Sequence, residues 1–163
     1  MKFTKSLEKF FIFSILLAVA ILVYNWNQSR KFKNNPLSQT TLKRVEKAQS
    51  KVLLLIQQKY KRDLNIPLII SDEFHSSLYG LTSYKAGELK IYLNKKRFKE
   101  SEDYMINEVI PHEYAHAMVF VLGKDRSEDG HTRLWQEICL ELEGKNCVRY
   151  VDNEEIVRAK MGF

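Results

Sequence analysis

A chain of 163 residues, 45% hydrophobic and 28% charged, is sized for one globular domain with a real core, not for a disulfide-stapled miniprotein. Its formal charge of +6 at pH 7 is unevenly spread: residues 1–33 hold six Lys/Arg and one acid, and residues 34–163 hold 20 basic and 19 acidic groups. The excess flanks an apolar run, which fits a membrane better than a nucleic acid; the nearly neutral remainder gives nucleic-acid binding no support.

Phe10 to Tyr24 is uninterruptedly apolar apart from Ser14, and Trp26 extends the run to the short end of a membrane-spanning helix. Tyr24 and Trp26 suit the interface, and Lys/Arg bracket both ends. The reading is an uncleaved single-pass anchor over residues 1–26. A cleaved signal peptide is the rival, but Ala18-Val19-Ala20 falls inside the apolar run and nothing small follows at Asn25-Trp26-Asn27-Gln28. A buried core helix is a third option, disfavoured because no polar face interrupts the run. Lys2, Lys5 and Lys9 face Arg30, Lys31 and Lys33 across the span, so charge hardly orients it. Likeness to a signal sequence tilts the expectation toward an extracytoplasmic domain.

Residues 27–36 read as a polar, basic linker, and residues 37–163 as the folded domain. Ser38 to Asp63 has the pattern of a long helix, with Leu42, Val45, Gln49, Val52, Ile56 and Tyr60 as a stripe spaced by three and four. Asn65-Ile66-Pro67 ends it. Leu68-Ile69-Ile70 is a short strand. Tyr79–Tyr84 and Leu89–Leu93 are two more, joined through Lys85-Ala86-Gly87-Glu88 as a hairpin. Lys85, Lys90, Lys95, Lys96, Arg97 and Lys99 form a basic cluster that reads as a solvated strand end and turn. His75, in Glu73-Phe74-His75-Ser76, reads as a surface loop residue.

Ser101 has the character of an N-cap, with Glu102 and Asp103 in the first turn and Met105, Ile106, Val109 and Ile110 as the apolar set. Pro111 follows, so either a kink or a fresh helix with Pro111 in its first turn is expected. That helix runs to Leu122, and Gly123 stops it. Lys124 to Gly130 is a charged loop. His131 to Leu142 is the next helix, with Leu134, Trp135, Ile138 and Leu142 inward and Gly144 at its end. Cys147–Val151 reads as a short strand or extended segment and Asn153–Lys160 as a final helix. Cys139 and Cys147, with seven residues between them, do not have zinc-knuckle spacing; a disulfide closing a helix-end loop and two unpaired thiols both remain open.

The chemistry is concentrated in His112-Glu113-Tyr114-Ala115-His116, with His131 in Asp129-Gly130-His131 fifteen residues on. Residues i and i+4 share a helix face, so His112 and His116 can bind one Zn²⁺ from adjacent turns, and Glu113 lies beside them as a general base for a zinc-bound water. Catalytic zinc takes three protein ligands and keeps one position open. His131 is the preferred third ligand; Glu137 and Glu141, deeper in the next helix, are rivals. Asp129 and Glu108 are candidate acceptors for the ligands' free ring N–H groups. Tyr84 and Tyr114 are candidate transition-state stabilisers.

Over roughly residues 40–145 the chain resembles the SprT-like family of zinc metallopeptidases, which includes the Spartan proteases. The resemblance rests on the long first helix, a strand pair ending in Gly87-Glu88-Leu89-Lys90-Ile91-Tyr92-Leu93-Asn94, then His112-Glu113-Tyr114-Ala115-His116-Ala117, then Asp129-Gly130-His131 with Trp135 just after. It implies an α+β, zincin-like minimal metallopeptidase domain with zinc on His112, His116 and His131, Glu113 as the catalytic residue, and protein or peptide substrates. Many members add a four-cysteine zinc ribbon, whereas this sequence has two cysteines. Members acting on DNA-bound proteins are soluble, so that role does not carry over to a chain with an apolar anchor. Two other readings compete: a membrane gluzincin of the HtpX type with Glu137 or Glu141 as third ligand, and a non-catalytic, zinc-stabilised, membrane-anchored binding module. An intact Glu113 argues against the second, since a purely structural site needs no base.

Overall fold

The computed structural model of the chain describes residues 2–34, 36–73, 78–124 and 130–148. His75, Asp129, residues 149–151 and the helix expected over 153–160 lie outside them. The chain divides into two units, Met1–Pro36 and Leu37–Phe163, and each is taken by itself.

The first unit is helix α1, Lys2–Asn34. Its segment Glu8–Arg30 has a mean hydropathy of 2.0 and is long and apolar enough to cross a membrane. None of that segment's 18-residue apolar window is buried. The helix continues through residues 27–34, the stretch whose composition reads as a linker.

The second unit is α+β. Helix α2, Gln39–Tyr60, begins where the Ser38 hydroxyl accepts the Thr41 N–H at 3.0 Å. It ends at Lys61 in a left-handed conformation, ahead of the Asn65-Ile66-Pro67 stop. Val45, Val52 and Ile56 of the expected stripe are buried, and Thr41 joins them.

Strands β1 (Leu68–Ser71), β2 (Gly80–Lys85) and β3 (Glu88–Asn94) form one sheet in the order β1-β3-β2. β2 and β3 are the expected antiparallel hairpin, with Gly80 opposite Leu93 and Thr82 opposite Ile91. Ala86 and Gly87 both have positive φ at the turn (54° and 86°), the pattern whose twist suits a two-residue hairpin. β1 runs parallel to β3, with Leu68 opposite Ile91. Alternation along β3 turns Ile91 and Leu93 inward, where they are fully buried.

The basic cluster departs from the sequence expectation. Lys95 to Glu100 is a short helix, α3, capped by the Asn94 side chain accepting from the Lys96 N–H. Phe98 anchors it in the core, and Arg97 pairs with Glu100 at 2.5 Å. Ser101 precedes the next helical turn, α4 (Glu102–Tyr104), but its buried hydroxyl does not cap it. Glu102 is engaged instead by Thr41 and Arg44 of α2.

Pro111 falls in the first turn of a new helix, behind a widened turn. A π-helical turn, Met105–Val109, precedes helix α5, Ile110–Val121, and the Ile110 N–H reaches back five residues to the Met105 carbonyl. Proline brings no N–H, and its ring presses on the carbonyl four residues earlier. Pro111 sits in the first turn of α5. Met105, Ile106, Val109 and Ile110 are buried as expected. Gly123, with φ of 65°, follows the end of α5.

Helix α6 spans Arg133–Glu141, so His131 lies just before it and does not open it; Thr132 is the N-cap, accepting the Trp135 N–H. Trp135, Ile138, Cys139 and Leu142 pack inward. Cys139 and Cys147 form a disulfide, which decides between the two cysteine readings. Glu143, not Gly144, takes the left-handed turn after α6, and the Gly144 N–H returns to the Cys139 carbonyl. Cys147 and Val148 are not in a strand.

Candidate metal centre

His112 and His116 stand one turn apart on α5, and the chain before α6 brings His131 to them. The three Nε2 atoms form a nearly equilateral triangle with sides of 3.2, 3.2 and 3.3 Å. Burial holds the His112 imidazole down at about 4 and the His116 imidazole at about 3, with the neighbouring histidines adding to both shifts. Both rings are therefore neutral at pH 7. Three imidazole nitrogens converging within 3.3 Å of one another, with the rings uncharged on α5, are a donor set that fits a metal ion. Among the described residues these three histidines are the group of His, Cys, Asp and Glu side chains that could hold one.

Trp135 forms a wall beside all three ligand candidates. Its ring lies 4.7 Å from His112, 5.2 Å from His116 and 4.5 Å from His131, centroid to centroid. Its indole N–H donates to the His112 carbonyl at 3.3 Å. Gly130 is also required by geometry. Its φ is +67°, and a β-carbon there would stand 3.3 Å from Nδ1 and Cε1 of His116.

Glu113 is 5% exposed, and burial pushes its carboxyl up to about 7 against the opposing hydrogen bond from Thr82. The Thr82 hydroxyl lies 2.7 Å from Oε2 of Glu113 and 2.8 Å from its backbone carbonyl oxygen.

The rival ligands are occupied elsewhere. Glu137 pairs with Arg133 at 2.9 Å, and Glu141 accepts from the Tyr60 hydroxyl on α2. Glu108 does not serve the histidines as expected: its carboxylate accepts the backbone N–H groups of Lys145 and Asn146. Tyr114 is fully buried and takes a hydrogen bond from Gln49, so it ties α5 to α2 instead of facing a substrate. Tyr84 is half exposed and packs on Phe120, with ring centroids 4.1 Å apart.

The family model described as the SprT-like family matches residues 46–154, two thirds of the chain. The chain belongs to the SprT-like family. The match takes in α2 from Glu46 onward, the sheet and all three histidines. Protein SprT of Vibrio atlanticus (strain LGP32) is 31% identical over 96 residues, which are 58% of this chain and 54% of that protein. The chain thus spans about half the length of that curated SprT relative. The N-terminal helix lies outside the family match.

Sequence reasoning singled out Glu113 and the three histidines that the structure brings together, but not Gly80 and Thr82 beside Glu113 or the packing of Trp135 on the histidines. The only signal for Gly80 and Thr82 was a small residue and a hydroxyl two apart on one face of a strand, a pattern too common to single out.

Proposed function

We propose that this SprT-like domain is a zincin-like, zinc-dependent metallopeptidase that cleaves peptide bonds in proteins close to a membrane. The observation that carries the reading is the Nε2 triangle on His112, His116 and His131 with Glu113 next in sequence to the first ligand. Its sides of 3.2 to 3.3 Å are close to the edge of roughly 3.3 Å that tetrahedral zinc requires at Zn–N distances of about 2.0–2.1 Å. Three donors, with no fourth among the described residues, suit a catalytic site with one open position.

Bound there, zinc supplies Lewis acidity that acidifies water and polarises a scissile carbonyl. His112, His116 and His131 would hold the ion through their Nε2 atoms, and Trp135 packs against all three rings. Glu113 is the general base: its carboxylate takes a proton from water and later delivers it to the leaving amine.

We assign helix α1 as a single-pass anchor and place the domain outside the cytoplasm. The Cys139–Cys147 disulfide supports that side, because such bonds persist in oxidising compartments. The apolar segment ends at Arg30 and the domain begins at Leu37, so the connection confines substrates to the membrane's vicinity.

The test is cleavage of fluorescein-labelled casein by the purified full chain in detergent. Activity should disappear on chelation, return with one equivalent of zinc, and be absent from Glu113→Gln at full zinc occupancy. Cleavage by Glu113→Gln at the wild-type rate would refute the assigned base.

A further inference from the structure

We infer that strand β2 carries the positioning device for Glu113: Thr82 pins the carboxylate, and the absence of a side chain at Gly80 leaves the space that it fills. The inference rests on the reading of Glu113 as the base.

Gly80 and Thr82 are two residues apart, so they present to the same face of β2. A threonine hydroxyl has one hydrogen, and here it meets two acceptors of a single residue. Thr82 Oγ1 is 2.7 Å from Glu113 Oε2 and 2.8 Å from the Glu113 backbone oxygen. The one hydrogen is given to the carboxylate or shared with the backbone oxygen, and in either case the hydroxyl sits between the Glu113 carboxylate and the Glu113 backbone and sets the place of one relative to the other. Thr82 supplies the only side-chain hydrogen bond that the described residues give this buried carboxylate. The Thr82 backbone N–H also donates to it, so removing the hydroxyl takes away one of two donors from the same residue and loosens the hold on the carboxylate.

Gly80 adds the steric half. A β-carbon there would stand 2.6 Å from Oε1, 2.8 Å from Cγ and 2.9 Å from Cδ of Glu113. The carboxyl end of the side chain therefore lies flush against the Gly80 backbone, and any larger residue displaces it. β2 is hydrogen-bonded along its length to β3, so the cradle is part of the sheet and not a loop. Sites built on regular elements hold catalytic groups in tighter geometry than loops do.

The test uses the full chain in detergent, loaded with zinc and assayed on labelled casein, with Thr82→Val, Thr82→Ser, Thr82→Ala and Gly80→Ala beside Glu113→Gln. Valine keeps the branched shape and strand preference and removes only the hydroxyl. Thr82→Val should retain one zinc per chain and lose roughly ten- to a hundredfold in kcat, the range for a hydrogen bond to a charged group. Its KM should stay within about twofold, because the interaction is with the base and not with substrate. Thr82→Ser should restore most of the loss. Gly80→Ala should keep zinc and fall as far as Thr82→Val.

A second readout is independent of turnover. In infrared spectra of the zinc-free protein, subtraction of Glu113→Gln isolates the Glu113 carboxylate band. That band should move in Thr82→Val and hold its place in Thr82→Ser. Full kcat in Thr82→Val, equal losses in Thr82→Val and Thr82→Ser, or an unmoved band would each overturn the inference. If Thr82→Val does not fold, Thr82→Ser must exceed Thr82→Ala by about tenfold, and equality overturns it just as well. Wild-type cleavage by Glu113→Gln would instead mark failure of the base assignment.

Discussion

Replacing Glu113 by glutamine should make the zinc-free protein more stable while removing its activity. The carboxyl is buried and pushed from 4.5 to about 7, chiefly by burial. An acid whose folded pKa is raised binds more protons folded than unfolded in the window between the two values. It therefore costs nothing below about pH 4.5, costs progressively more up to about 7, and carries its full penalty above that. At 1.36 kcal/mol per unit the penalty at pH 8 is about 3 kcal/mol. Glutamine is neutral and its amide oxygen can still accept from Thr82, but its amide hydrogens lack an evident partner. That offset reduces the expected gain to about 1–3 kcal/mol. The assay is urea unfolding of the chelated full chain in detergent, read by Trp135 fluorescence with Trp26→Phe in both proteins. The gain should be largest at pH 8 and vanish near pH 4.5. Histidine protonation on that path affects both proteins alike and cancels in the difference. Added zinc should shrink the gain, because a cation nearby favours the carboxylate. No gain at pH 8, or one independent of pH, would refute the burial account of Glu113.

Further outcomes follow from the same geometry. His131→Ala should lose stoichiometric zinc, whereas Glu137→Ala and Glu141→Ala should keep it, as measured by metal analysis after dialysis; the reverse pattern would restore a glutamate ligand. Replacing both Cys139 and Cys147 by serine should cost about 2–3 kcal/mol, the chain-entropy value for so short a loop, in a urea titration compared with wild type. The zinc-free protein should lose stability as pH falls below about 6.5. The folded His112 and His116 resist protonation to about 4 and 3, so the unfolded chain binds more protons there. Unfolding midpoints unchanged between pH 7 and pH 5 in Glu113→Gln would contradict that.

How much of this was legible depended on how local each signal is. The α2 stripe could be read because one face of an amphipathic helix repeats every three or four residues. Gln49 fitted that stripe by spacing, yet its task is a hydrogen bond to Tyr114, a residue 65 positions away. The β2–β3 hairpin announced itself through its turn, but the parallel pairing of β1 with β3 is a non-local contact with no signature of its own. Pro111 signalled a disturbance without saying which kind. The π turn lies just ahead of it, over Met105–Val109, and has no pattern of its own in the sequence. The histidines were legible because a metal site demands particular side chains at particular spacings. Thr82 and Gly80 were not, because their roles arise only where β2 meets α5. The expected service of Glu108 to the histidines failed for the same reason: the loop after α6 claims its carboxylate.

The most direct test of the central claim is X-ray absorption at the zinc edge of the purified, catalytically active full chain. One zinc with three imidazole nitrogens at about 2.0–2.1 Å and one further oxygen ligand is expected. A sulfur ligand, four protein nitrogens, or active protein without zinc would contradict it.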